Sequence, residues 1–131
     1  MALNLNLKAG EKIAINGAVI VNGDRRADLT VETQARILRQ GDIMQPEQAN
    51  TPARRLYFAT MMLYLEPENI AVHAKNYEQR ITELTGALID ADALNICTRL
   101  AAHVANGELY KALGLAQELI IFEATRLPHV A

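Results

Sequence analysis

Apolar residues alternate with polar ones near the start of the chain and recur every third or fourth position in its second half, so the secondary structure changes along the sequence. Leu3, Leu5 and Leu7 alternate with asparagines, Lys8-Ala9-Gly10-Glu11 supplies a turn, and Ile13 and Ile15 alternate again, which predicts two short strands. Asn16-Gly17 and Asn22-Gly23 are both hairpin signals, because each offers residues that tolerate positive φ, and they bracket an apolar strand from Ala18 to Val21. Asp28 to Glu32 alternates once more. Ala35 to Leu38 reads as a further strand or a short helical turn, with strand preferred. Gly41-Asp42 and Pro46 end the sheet near Met44, and the sequential turns predict an antiparallel β-meander.

Helical spacing then takes over. Thr51-Pro52 predicts a helix start, since the threonine oxygen accepts from a free amide of the first turn and proline at the first helical position sacrifices no internal bond. That helix should reach about Leu65. Glu66-Pro67-Glu68 restarts a second, carrying Ile70, Ala74, Tyr77, Ile81, Leu84 and Leu88 on one stripe. Asp90 or Asp92 caps a third, which Asn106-Gly107 closes, and a fourth begins at Glu108 and is apolar on two faces until Pro128. Short loops imply antiparallel helical hairpins. The expected fold class is α+β: a small N-terminal antiparallel β-meander followed by a C-terminal bundle of about four helices. Residues 1–131 are expected as a single domain, with a β-rich part at 1–44, a junction at 45–50 and a helical part at 51–131.

Composition adds limits. Half of the 131 residues are hydrophobic and 21% are charged, which is ordinary globular usage. The single cysteine, Cys97, excludes an intramolecular disulfide and suits a reducing compartment, so a cytoplasmic location is expected. No basic start followed by an apolar run appears, so neither a signal peptide nor a spanning helix is expected. Charge is uneven: residues 1–44 hold six basic and five acidic side chains, and residues 45–131 hold seven and ten. A chain of net charge −2 is not a general nucleic-acid sponge, so any RNA site must be local.

Candidate chemistry is sparse. His73, His103 and His129 are scattered, and Cys97 lies six positions from His103 on another side of its helix, so neither a metal nor a cofactor is expected. No phosphate-binding glycine loop or nucleophile elbow occurs, and the carboxylate pairs Glu66/Glu68 and Asp90/Asp92 sit at helix starts, where capping accounts for them; no catalytic residue is expected. Arg54 and Arg55 are different, because positive charge in a first turn opposes the helix dipole. Two compensations are open: an ion pair with Asp42, Glu47, Glu66 or an acidic helix of a second subunit, or contact with phosphate. Tyr57 and Phe58 follow directly. At helical spacing one ring must face the core, and Phe58 is the expected core ring, leaving Tyr57 to stack on an unpaired base. Arg25-Arg26 lies just after a turn tip, either as a solvated turn or as a backbone contact.

Several segments together carry a family resemblance: Lys8-Ala9-Gly10-Glu11-Lys12 with INGAVIVNGDRR (Ile15 to Arg26), DIMQPEQANTPARRLYF (Asp42 to Phe58), MMLYL (Met61 to Leu65) and HVANGELYKAL (His103 to Leu113). The chain resembles the FlbT-type flagellin regulators, the post-transcriptional flagellum biosynthesis repressors of alphaproteobacteria, over nearly its whole length. The resemblance implies binding to the 5′ untranslated region of flagellin mRNA, repression of translation and promotion of message decay, although some members are described as needed for flagellin synthesis. No catalytic motif comes with it. The RNA-contact set inferred from chemistry is Arg25, Arg26, Arg54 and Arg55 on phosphates, Arg36, Arg39 and Lys12 extending the track, and Tyr57 stacking. The other reading is an adaptor without RNA contact, whose helical half binds flagellin, its chaperone or a companion regulator. Open strand edges further predict a homo-oligomer.

Overall fold

The computed structural model describes residues 2–126, apart from the side chain of Arg126. The chain packs as two compact units that part between Ile43 and Met44. The first is all-β. Its strands are β1 (Leu3–Leu7), β2 (Lys12–Ile15), β3 (Ala18–Val21), β4 (Ala27–Val31) and β5 (Ile37–Arg39). All pairs are antiparallel, but the strands do not follow one another as a meander: β4 returns to β1, and β2 lies between β3 and β5. Only the first Asn-Gly makes a hairpin. Asn16 and Gly17 have φ of 52° and 88°, the two positive values a tight turn between β2 and β3 requires. Asn22 instead folds its amide back, donating to the carbonyls of Lys8 and Arg25, both at 2.8 Å, and so directs the chain away from β3. The core follows from alternation: Leu5, Leu7 and Ile13 are buried together, with Ile15, Val31 and Ile37 packed against them.

The second unit is helical, with α1 (Pro52–Leu65), α2 (Ile70–Ala87), α3 (Ala91–Ala105) and α4 (Leu109–Arg126). Four helices after antiparallel strands is the fold class read from the sequence. Pro128, the expected end of the last helix, lies outside the described residues. The Thr51 oxygen accepts from the Arg54 amide as the α1 cap, and Asp90 does the same for the Ala93 amide at α3. Gly107, at φ 76°, ends α3, with its amide and that of Glu108 donating to the Val104 and His103 carbonyls. Helix α1 packs against α2 and α4, and α3 against α4. Fully buried Leu56, Thr60, Leu100 and Leu119 mark this core, and Thr60 satisfies its hydroxyl on the Leu56 carbonyl at 2.8 Å. Glu123 of α4 accepts from the Ala53 amide at 3.0 Å, which places a carboxylate at the positive end of α1.

Candidate nucleic-acid interface

The proposed cations fall into both units, and each unit carries its own groove. In the β unit, a groove of about 630 Å³ is lined by Lys8, Glu11, Arg26, Arg39 and Gln40. The turn before β2 builds it: the Glu11 amide donates to the Lys8 carbonyl, and the Glu11 carboxylate accepts from the Lys8 amide at 2.9 Å. That backbone hydrogen bond, with help from the Arg39 guanidinium, holds the Glu11 carboxyl below its ordinary value. Arg39 Nη2 lies 3.0 Å from Glu11 and also donates to the Asn6 carbonyl at 2.7 Å. Arg26 donates to the Asn6 side chain. The groove therefore holds three cations around one carboxylate.

The other β-unit candidates lie elsewhere. Arg25 and Lys12 are exposed, and neither lines the groove. Arg36 is half-buried beside the β2–β3 turn, where its amide donates to Asn16, and its Nε is buried without an acceptor among the described residues. Lys8, Asn6 and Gln40 were not in the sequence-based set. Lys8 carries a local signal, since it opens the turn that Gly10 closes at φ 72°.

In the helical unit, a second groove of about 320 Å³ lies over α1 and α2, lined by Arg55, Phe58, Met62, His73, Asn76 and Arg80 among others. Two expectations are corrected here. Tyr57 is the core ring at 3% exposure, which leaves its face no access to a base, and Phe58 is the partly exposed ring on the groove. Arg55 finds a partner outside the expected set: Glu83 on α2, at 3.1 Å. Arg80 reaches the same residue at 3.4 Å, so two guanidiniums share one carboxylate. His73, 12% exposed at its side chain, lies 3.0 Å from Glu66, and this contact, followed by one from Asn69, holds the Glu66 carboxyl below its ordinary value. Arg54 points its Nη1 toward Asn50 at 3.4 Å and lies outside the groove.

The chemistry of this second groove suits a nucleotide. Arg55, Arg80 and Glu83 are each more than a third exposed, and ion pairs in such positions are worth about 0–1 kcal/mol, so a phosphate can exchange for the carboxylate at small cost. The partly exposed phenyl ring in the same lining can take a base by stacking. His73, Asn76, Arg80 and Glu83 are spaced three, four and three apart, a single helical face that the sequence displays. Among the described residues no helix is long and apolar enough to cross a membrane, and no group of three His, Cys, Asp or Glu side chains is arranged to hold a metal ion.

Comparison with known proteins agrees over the full length. The family described as "Flagellar protein FlbT" matches residues 3–127. A relative from Caulobacter sp. (strain K31), named "Probable flagellum biosynthesis repressor protein FlbT", is 46% identical over all of both chains. The "Flagellum biosynthesis repressor protein FlbT" of Caulobacter vibrioides (strain ATCC 19089 / CIP 103742 / CB 15) is 44% identical over 100% of this chain and 93% of its own. A Bradyrhizobium diazoefficiens relative, "Probable flagellum biosynthesis repressor protein FlbT 1", is 36% identical over 94% of this chain and 83% of its own. No solved structure matches the chain. The segments that carry the resemblance and the match across nearly every residue agree: the chain belongs to the FlbT family.

Proposed function

We propose that this chain is a post-transcriptional regulator of flagellin synthesis that binds the 5′ untranslated region of flagellin mRNA, represses translation and promotes decay of the message. Relatives named flagellum biosynthesis repressors support the regulatory part. The observation that carries direct RNA contact is the α1–α2 groove, where a partly exposed Phe58 shares one lining with Arg55 and Arg80. Guanidiniums bind phosphate in a fork, and an aromatic face accepts any unpaired base, so the pair recognises a single-stranded leader loop better than a duplex. Occupying the leader blocks the ribosome without any bond-breaking step. Decay then falls to a separate nuclease.

The test is titration of a labelled flagellin leader with the full chain, alongside Arg55→Gln, Arg80→Gln and Phe58→Ala variants whose helicity is checked first. Loss of the stacking ring should cost about 1–3 kcal/mol of binding, a drop of roughly 5- to 150-fold. Unchanged affinity in all three folded variants would remove this groove from RNA contact. The adaptor reading keeps one observation in its favour, the exposed Ile70, Val72 and Ile121 of the helical unit. If the unmodified chain binds no leader but is retained by flagellin, its chaperone or a companion regulator, that reading replaces the first.

A further inference from the structure

The β unit has four edge strands, because β1 and β4 form one sheet alone and β3 and β5 flank β2 in the other. Three of them carry polar or charged side chains: Asn4 and Asn6 on β1, Asp28 and Thr30 on β4, and Arg39 on β5. Strand β3 is Ala18-Val19-Ile20-Val21, with no polar side chain along it. All four residues are exposed, Val19 and Val21 at 59% and Ile20 at 42%. One side of its backbone pairs with β2, from Lys12 opposite Val21 to Ile15 opposite Ala18, and the other side takes no strand among the described residues. An aliphatic strand with one free ladder and no charge is a template for a further strand.

We propose that the added strand is β3 of a second copy of this chain, paired antiparallel about a two-fold axis through Ile20. The sequence around that residue is close to self-complementary. Centred there, Ile20 meets its own mate, Val19 meets Val21, Ala18 meets Asn22 and Gly17 meets Gly23. Asp24 falls opposite Asn16, so no like charges face each other across the pair. Alternation puts Val19 and Val21 on one face, where the two-fold gathers four valines into a single patch. The contact is isologous and uses the one edge strand that is wholly apolar, so it closes at two chains. It stands independently of RNA binding, since neither groove includes a β3 residue.

Sedimentation equilibrium of the full chain over a range of concentrations should give twice the 14.4 kDa of one chain. Val19→Lys places a charge opposite Val21 of the second copy, inside the valine patch, and should return the mass to one chain with an unchanged circular dichroism spectrum. Ile20→Cys should cross-link into a reducible dimer on oxidation, because the axis sets the two sulfurs opposite each other, while the native buried Cys97 gives no such product. A single-chain mass for the unmodified protein at every concentration overturns the proposal. A two-chain mass that survives Val19→Lys places the interface elsewhere, and a dimer in which Ile20→Cys fails to cross-link rules out this register.

Discussion

Tyr77 on α2 offers a quantitative check on the helical core. Its ring is 4% exposed and its hydroxyl is buried without a hydrogen-bond partner among the described residues. A buried polar group left unpaired costs about 1–3 kcal/mol, so Tyr77→Phe, which removes the hydroxyl and keeps the ring, should stabilise the protein by about 1–2 kcal/mol. For a helical unit of this size that raises the unfolding midpoint by roughly 4–8 °C per kcal/mol. The same burial, with smaller contributions from Glu78 and Cys97, pushes the phenol up to about 12 from its ordinary 10.0. The proton is therefore held more tightly in the folded state than in the unfolded one. Ionisation of the unfolded phenol therefore lowers stability by up to about 2–3 kcal/mol, a loss absent below pH 10 that grows as pH rises toward 12. Thermal and urea melts followed by circular dichroism, at neutral pH and across the alkaline range, should show a more stable variant whose alkaline decline is flattened. A variant less stable than the native chain by 1 kcal/mol or more would mean that the hydroxyl has a partner, and the reasoning fails.

Three further outcomes follow from local geometry. Glu123→Ala removes the carboxylate that accepts from the Ala53 amide at the start of α1 and should lower stability by about 1 kcal/mol in urea melts, with Glu123→Gln recovering part of the loss. Gly107→Ala forces a Cβ into φ 76° although nothing lies within 4 Å of the added carbon, so the cost of about 1–2 kcal/mol should come from backbone strain alone and show as a lower melting midpoint. Glu66 is held below its ordinary 4.5 by the hydrogen bond from His73, so its contribution is present above that value and is lost as pH falls through the lower folded one. Glu66→Gln should therefore flatten the acid limb of the stability curve, and an unchanged acid limb would show that this pair does not contribute.

What was legible in the sequence is what short-range rules decide. Asn16-Gly17 demands a tight turn, Thr51-Pro52 starts a helix, and Gly107 ends one, each by the conformational preferences of one or two residues. Strand pairing was not legible. Asn22-Gly23 has the composition of a hairpin, yet the Asn22 side-chain amide donates to one carbonyl three residues on, at Arg25, and one fourteen residues back, at Lys8, and β4 pairs with β1 instead of β3. Tyr57 and Phe58 are neighbours about 100° apart on a helix, so composition does not say which faces inward; the packing of α1 against α2 and α4 decides it. Glu83 was missed for a related reason, because it lies on another helix, 28 residues from the arginine it pairs with. Its spacing from His73, Asn76 and Arg80 was the available clue.

The account rests on guanidiniums at half-exposed positions being able to exchange a carboxylate for a phosphate. Affinity for a flagellin leader RNA, measured against salt concentration for the native chain and for Arg55→Gln, tests that directly. We expect the logarithm of the binding constant to fall linearly with the logarithm of salt, and the slope to lose about 0.7 when one phosphate contact is removed from a single strand. Binding that is absent, or that is indifferent to salt and to the loss of Arg55, would contradict the account.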